Sequence, residues 1–507
     1  MAVISTPPHA RNSLRRQHGR YYTPGTIARE MFDSAWLAAT TGDLADRRAP
    51  LRILDPACGD GAFLLTAFDR LMEQARPRFA DRLAIVRDQL FGVDIDTAAI
   101  EKLRRQLFER IAPPAKCVQT TIRAIESNIR VGNALTGPDF RQPEQPCPCS
   151  RPVDDAEHVA PLNFADAFPK VADVGGFDLV IGNPPYRREL NAKPEFARLA
   201  ESPLGQRWRQ ARMDLWYYFL HRGLDLLRPG GWLCYIVNSY WTSSSGARRL
   251  VERLEQETTL EEVVLLGDAP IFAGVAGKHL IFRLRATRTD ALCRVIDVSN
   301  PGRGQVHFPG GRLSDGRFTR RKMDLSPFIE PYHVSRDELF QHGRLVLGRP
   351  PSWTSALAGL PTLGDFFEVR QGMAENPPSI NRKTAEAFPG EYQVGDGVFV
   401  LTDEERELLR LSPRETGLLR PYYRTSDILR YELPATPTRS VLHLTKFTAP
   451  SLDGLPHVAA HLERYRPILE RRREVRAGKI AWWHLHWPRE ERIFAEPRIL
   501  AVQMGRT

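Results

Sequence analysis

Short apolar runs alternate with longer amphipathic stretches over residues 51–284, and this alternation predicts the fold. Leu51-Arg52-Ile53-Leu54-Asp55 reads as a strand, and Phe63 to Met72 as the helix after it. Leu90 to Asp94 is the next strand, followed by a helix from Ala98 to Ile111. Ile129 to Asn133 is a short third strand, and Phe177 to Gly182 a fourth. A helix from Leu215 to Leu227 stops at Arg228-Pro229-Gly230-Gly231. Three more strands follow, Trp232–Val237, Leu260–Leu266 and His279–Leu284, with a helix from Ala247 to Glu255 after the first. Strands alternating with helices argue for an α/β protein with a doubly wound parallel sheet, seven strands by this reading.

The segment 138–174 is rich in proline and charge and has no clear period. It reads as an inserted surface loop with one or two short helices. After Arg285 the pattern changes to turn-rich sequence, with Pro301-Gly302-Arg303-Gly304 and Pro309-Gly310-Gly311. From Leu345 short strands (Phe366–Arg370, Val398–Leu401, Val441–Leu444) mix with helices (Thr402–Leu409, Val458–Ala477), as in an α+β module. The expected organisation is an N-terminal arm over 1–20, a first domain over 21–300, a linker over 301–344 and a second domain over 345–507.

The composition is that of a globular protein, with 42% hydrophobic and 26% charged residues among 507. No apolar run approaches the ~18 residues of a membrane span, so no membrane partner is expected. Met1 to Arg20 lacks the apolar stretch of a signal peptide, and its Arg11, Arg15, Arg16 and Arg20 read as a solvated arm. Six scattered cysteines fit a reduced, cytoplasmic protein. The Cys147-Pro148-Cys149 pair has no second Cys/His pair at zinc spacing, so no metal is expected. The net charge of +10 makes a polyanion a candidate partner once a site that handles bases is found beside it.

Asn183-Pro184-Pro185-Tyr186 supplies such a site, because it closes the fourth strand at its carboxyl end, where open α/β sheets bind ligands. Two prolines forbid a helix and stiffen the turn. One amide, one free carbonyl and one aromatic ring then share a space. Two acceptors can take both N–H bonds of an exocyclic amine while the ring stacks on the base that bears it. Asn183 and Pro184 would be the acceptors, Pro185 the stiffener and Tyr186 the stacking ring.

A second turn, Asp55-Pro56-Ala57-Cys58-Gly59-Asp60-Gly61, joins the first strand to its helix. Its small residues allow close backbone approach, and an acidic residue at the strand end suits a cationic amine, such as the amino-acid end of S-adenosylmethionine. Asp94 ends the second strand, where a carboxylate can accept both hydroxyls of a ribose. Asp96 fits the role of helix N-cap. Asn133 reads either as a contact to a donor adenine or as a turn residue. Thr23-Pro24 reads as an N-cap with proline at N1.

Taken together, these pieces resemble the γ-class N6-adenine DNA methyltransferases of the TaqI type, which serve in restriction–modification systems. The matching segments are YYTPGTIAREMF at Tyr21, ILDPACGDGAFLLTAF at Ile53, FGVDID at Phe91, GNALTG at Gly132, FDLVIGNPPY at Phe177, DLWYYFLHRGLDLLRPGG at Asp214 and IFAGVAGKHLIF at Ile271. Weaker matches to the TaqI-like specificity domain are LGDFFEVRQGM at Leu363, GLLRPYYRTSDILRYELP at Gly417 and HLERYRPILERRREVRAGKIAWWHLHWPRE at His461. The resemblance implies a Rossmann-like seven-stranded methyltransferase sheet, S-adenosylmethionine as donor and a C-terminal target-recognition domain. It implies that Thr23 touches the donor's methionine carboxylate and that Asp55, Pro56 and Ala57, with Cys58 and Gly59, line its amino-acid end. Asp94 and Ile95 would hold the ribose side, and Asn133 and Ala134 the adenine side; the family often has Asp where Asn133 stands. Tyr186 and Phe272 would stack on a flipped adenine. Phe272 is followed by Ala273, where this class usually has proline.

Sequence reading of DNA would fall to the second domain. Arg471-Arg472-Arg473 is expected on a helix face, with Arg370, Arg424, Arg430 and Lys446 as further groove contacts. Trp482, Trp483 and Trp487 read as core. The expected partners are double-stranded DNA and a separate restriction endonuclease, with the chain a monomer at the prokaryotic nucleoid. The chain ends at Gly505-Arg506-Thr507, soon after a strand-like run, which suggests an incomplete recognition module. Rival readings are a protein-glutamine methyltransferase, which shares the tetrapeptide but is shorter, and a DNA-binding subunit without catalysis, which the intact tetrapeptide argues against. A nucleotide-dependent oxidoreductase would want a phosphate-binding glycine pattern that the Asp-Pro turn lacks.

Overall fold

A computed structural model describes residues 23–41, 50–76, 78–140, 161–267, 271–272, 277–298, 330–341, 343–348, 360–361, 363–368, 370–429, 432–492 and 498–500. The basic arm, the Cys147–Cys149 pair and Arg430 lie outside the described residues. The chain divides into two units, Met1–Ala356 and Leu357–Thr507. No helix among the described residues is long and apolar enough to cross a membrane.

The first unit opens with helix α1, Gly25–Thr41, whose apolar positions Ile27, Ala28, Met31, Phe32, Ala35 and Ala39 repeat at helical spacing and are all buried. Strand β1 (Ile53–Asp55) leads to α2 (Ala62–Gln74), with Gly61 at its N-cap. Gly61 has φ +94, and a Cβ there would lie 2.2 Å from Leu103, so only glycine suits the turn. Helix α3 (Phe79–Asp88) precedes β2 (Leu90–Asp94). Helices α4 (Thr97–Ile111) and α5 (Val118–Asn128) precede β3 (Ile129–Val131). Asp96 caps α4 through Ala98 and Ala99, at 3.0 and 3.2 Å. Two one-turn helices, Phe164–Ala167 and Pro169–Ala172, precede β4 (Phe177–Gly182). Helix α6 (Leu215–Leu226), buried on all sides, runs into β5 (Leu227–Asn238). Helix α7 (Arg248–Glu257), β6 (Thr259–Gly267), β7 (His279–Arg285), β8 (Cys293–Asp297) and β9 (Tyr332–Val334) complete the sheet.

The sheet has nine strands in the order β3-β2-β1-β4-β5-β7-β6-β8-β9. It is therefore larger than the seven strands predicted, and mixed rather than parallel. Strands β1 to β5 are parallel, but β7 runs antiparallel to both β5 and β6. The link between β6 and β7 is too short for a crossover helix, so the chain returns antiparallel, and β7 inserts beside β5. Both faces of the sheet are covered. One core gathers Phe91, Phe177, Trp216, Tyr235 and Phe282; the other joins α1 to Phe63, Phe68 and Ile181.

The segment expected as a linker is structured where it is described. β9 pairs with β8, and a small hairpin of β10 (Phe340–Gln341) and β11 (Arg344–Leu345) buries Leu339, Phe340, Leu345 and Leu347 in the first unit. Strands β9 to β11, of two or three residues, carry no readable period, which is why this segment read as a linker.

The second unit contains a three-stranded antiparallel sheet, with β12 (Val400–Thr402) and β13 (Leu419–Tyr422) flanking β14 (Arg439–Leu442). Helices α8 (Asp403–Leu408) and α9 (Pro456–Leu469) accompany it, and Val458, Leu462, Tyr465 and Leu469 bury one face of α9. Two expectations fail here. The apolar pair Phe366-Phe367 does not form a strand: Leu363–Phe366 is a helical turn, and both rings are exposed. The helix expected through Ala477 ends at Leu469, and a separate turn, α10, spans Arg473–Arg476. Arg472 turns inward between them and bonds the carbonyl oxygen of Leu469 at 3.1 Å, satisfying an acceptor at the helix end.

Candidate active site

Because β1, β2, β4 and β5 are parallel, their carboxyl ends meet on one edge of the sheet. There the structure brings together Asp55, Asp94 and the Asn183–Tyr186 turn. β4 is buried at every position, as its unbroken apolar run requires. A Cβ on Gly182 would sit 2.8 Å from Asp55 Oδ1, so the smallest residue lets the two turns lie side by side.

Asn183 is half-buried and Pro184 buried. The Asn183 amide donates from Nδ2 to Thr23 Oγ1 at 3.1 Å. Thr23 is itself buried, at the start of α1. A hydroxyl can donate or accept, so this bond and the Tyr186 hydroxyl together hold the plane of the amide. The sequence reading assigned Thr23 to the donor and did not foresee this bond. Tyr186 Oη lies 2.7 Å from Asn183 Oδ1 and 2.9 Å from the Ile236 carbonyl. Its single proton serves one acceptor at a time, and the pair of acceptors pins the ring.

His279, not singled out from the sequence, stands at the base of the site. Its ring packs against Tyr186 at 5.9 Å and against Phe272 at 4.9 Å, edge-on to the latter. Burial holds its imidazole below the ordinary range, which favours the neutral form. Phe272 is 3% exposed, in the core shared with α1 and α2. Asp214 was also missed as an individual residue. It accepts from the Arg187 amide at 2.8 Å, Leu215 N donates to the Arg187 carbonyl at 2.9 Å, and Arg188 bridges Asp214 antiparallel. The chain leaving the tetrapeptide is thus tied to the start of α6. Burial pushes the Asp214 carboxyl up to about 6 against the pull of these backbone N–H groups.

In the turn after β1, Asp55 is 1% exposed and accepts from Ala57 N at 3.1 Å. Burial is the largest cause raising its carboxyl to about 8; the Ala57 bond opposes it and the Asp94 charge adds to it. Such a group ionises readily only when a cation comes to pair with it. Asp94 accepts from Gly59 N and from Asp96 N, both at 2.8 Å, and so clips the two turns together. Gly59 has φ +52. Ile95, beside Asp94, is 44% exposed, an apolar surface left open at the strand end. Pro56, Cys58 and Ala134 are buried and Ala57 is half-buried, while Asn133 Oδ1 accepts from Leu135 N at 3.0 Å in a turn of its own. Burial and the Asp94 and Asp55 charges hold the Cys58 thiol well above its ordinary range, so it stays protonated.

In the second unit the proposed DNA contacts differ in kind. Arg471 and Lys446 are exposed; the first lies 4.4 Å over the Phe388 ring and the second 4.9 Å over Phe447. Arg370, Arg424 and Arg473 are exposed and paired, with Glu368, Asp427 and Glu474 respectively. Arg472 does not face solvent. It is 7% exposed and donates to the carbonyl oxygens of His484 at 2.8 Å and Trp482 at 2.5 Å. Its place among the DNA contacts is corrected to a structural one. Trp482 and Trp483 pack against this core, whereas Trp487 is 50% exposed.

Residues 88–272 match the family described as Eco57I restriction-modification methylase. The chain is 23% identical to the Type II methyltransferase M.BanIII of Aneurinibacillus aneurinilyticus, over 96% of this chain and 76% of that protein. It is 21% identical to the Type II restriction enzyme and methyltransferase RM.Eco57I of Escherichia coli, over 53% of this chain and 26% of that protein. Among solved structures, the type I restriction-modification system methyltransferase subunit from Streptococcus thermophilus is similar over 59% of this chain and 52% of its own, with 18% identity and a TM-score of 0.36.

Proposed function

We propose that this chain, whose residues 88–272 match the Eco57I restriction-modification methylase family, is a γ-class methylase that methylates the N6 amine of adenine in double-stranded DNA. The observation that carries the reading is the Asn183 amide, held between the hydroxyls of Thr23 and Tyr186 at the carboxyl end of β4, with the Pro184 carbonyl next in the chain. Two fixed acceptors suit the two hydrogens of an exocyclic amine.

S-adenosylmethionine, when bound, supplies a methyl group activated by a sulfonium. The residues present fit it. A buried carboxyl raised to about 8 at Asp55 suits a cationic amine, and the Asp94 carboxylate at the end of β2 suits ribose hydroxyls. Open apolar surface at Ile95 suits a ring.

The amine of adenine is a poor nucleophile because its lone pair is delocalised into the ring. Asn183 Oδ1 and the Pro184 carbonyl accept its hydrogens and draw electron density onto nitrogen. The turn is rigid before substrate arrives, so these dipoles need no reorganisation, and the catalysis is positioning and preorganised electrostatics. Tyr186 holds the base by stacking, worth ~1–3 kcal/mol, which offsets part of the cost of extruding it from the duplex. Phe272 contributes through His279, which supports the Tyr186 ring. No general base is required before transfer, since the product nitrogen is cationic and loses its proton readily. The exposed cations of the second unit, Arg370, Arg424, Lys446, Arg471 and Arg473, supply phosphate and groove contacts.

The test is labelled methyl transfer from S-adenosylmethionine to DNA and, in parallel, to bacterial protein extract. Label in DNA is expected. Label confined to protein would favour the glutamine-modifying reading, which shares the tetrapeptide.

A further inference from the structure

Arg188 and Tyr240 form an exposed pair on the lip of the site that the chemistry above leaves unused. Tyr240 follows β5, in the turn Ser239–Thr242, and its ring is 51% exposed. The guanidinium of Arg188 lies 5.6 Å over that ring. Arg188 comes two residues after Tyr186, and its backbone is fixed by its bridge to Asp214.

The lip position follows from the sheet. Tyr186 Oη bonds the carbonyl of Ile236 in β5, and Asn238, at the end of β5, stands opposite His279. Ser239 N donates to the Lys278 carbonyl at 2.9 Å, and Lys278 is exposed beside it. The turn that carries Tyr240 is therefore anchored to the strand ends that carry the site. The adjacent arginine is used differently: Arg187 pairs with Glu195 at 2.5 Å. Arg188 forms no ion pair among the described residues, although its charge reaches the buried Asp214 carboxyl.

A guanidinium over an aromatic ring is attracted to its face, which restrains the side chain. Its N–H groups can meet a phosphate bidentately, and the restraint lowers the ordering cost. We propose that Arg188 and Tyr240 form a phosphate clamp at the mouth of the site, gripping the DNA backbone beside the target nucleotide. This rests on the reading of the site as one that accepts a base from DNA. The clamp is a positioning device: it touches the backbone, not the reacting atoms.

The experiment measures binding of a short duplex, carrying the site mapped by methylation sequencing, over a series of salt concentrations with sinefungin present. Arg188→Ala is expected to weaken binding about 10-fold, the size of one charge-assisted hydrogen bond. It should also make the slope of log K against log salt shallower by about 0.9, one released counterion. Arg188→Lys keeps the charge and should keep the slope while losing part of the affinity. Tyr240→Phe should behave as wild type, and Tyr240→Ala should bind more weakly. Sinefungin affinity, read by calorimetry, should be unchanged in all four, which shows them folded. An unchanged slope in Arg188→Ala overturns the clamp, as does a slope lost equally in Arg188→Lys. Wild-type protein that binds no duplex overturns the underlying reading and the clamp together. Wild type that binds and methylates, with Arg188→Ala indistinguishable from it, overturns the clamp alone.

Discussion

Replacing Asp55 by Asn tests the donor site through its proton. The carboxyl is 1% exposed, and burial first, then the Asp94 charge, lifts it from 3.8 to about 8. Below 3.8 the folded and unfolded chains both hold the proton, and the group costs nothing. Above that only the unfolded chain releases it, so the folded state loses stability as pH rises toward about 8. At about 1.4 kcal/mol per pH unit, the loss is on the order of 5 kcal/mol across that window. A cation that pairs with the carboxylate must expel the proton, which at pH 7 about nine in ten of the folded molecules still carry. The ionised fraction climbs from about 0.01 at pH 6 to about 0.24 at pH 7.5, so S-adenosylmethionine should bind about 25-fold more tightly at the higher pH. Asp55→Asn removes both charge and proton. Its affinity should be lower and nearly independent of pH, and without ligand it should melt above wild type at pH 8, by about 5 °C or more. Calorimetric titrations at several pH values, in buffers of different ionisation enthalpy, measure affinity and proton release together. Wild-type affinity that is flat between pH 6 and 7.5, or proton release that survives in Asp55→Asn, would refute the reasoning.

Asn183→Ala should lower kcat by about 10²–10³-fold, the range for removing one preorganised dipole, while S-adenosylmethionine still binds. Single-turnover rates at the wild-type level would remove Asn183 from the chemistry. Thr23→Val keeps the shape but loses the hydroxyl that bonds the Asn183 amide, so kcat should fall about 10-fold, with Thr23→Ser restoring most of it. Equal rates for Val and Ser variants would mean the amide needs no orienting bond. Arg472→Ala strips donors from several buried carbonyls of the second unit and should destabilise it by about 3 kcal/mol in urea unfolding. Unchanged stability with weakened DNA binding would return Arg472 to the surface role first expected of it.

What could be read from the sequence follows from which signals are local. Asp55, Asp94 and Asn183 each end an apolar run, and parallel strands place such ends together, so their meeting was legible from pattern alone. Asp96 as a cap was legible for the same local reason. The bond from Asn183 to Thr23 joins residues 160 positions apart and has no sequence signature. The antiparallel insertion of β7 depends on which strand it pairs with, which periodicity does not encode. β9 to β11 are too short to show a period. Arg472 looks like its neighbours Arg471 and Arg473 in sequence; only the chain's turn after Leu469 separates a buried cation from two exposed ones.

The nucleosides of DNA incubated with the wild-type chain and S-adenosylmethionine, separated and identified by mass spectrometry, test the central claim most directly. Paired oxygens at Asn183 and Pro184, with a stacking ring at Tyr186, predict N6-methyladenine. Methyl groups found solely on cytosine, or DNA left unmodified while S-adenosylmethionine is bound, would contradict the account.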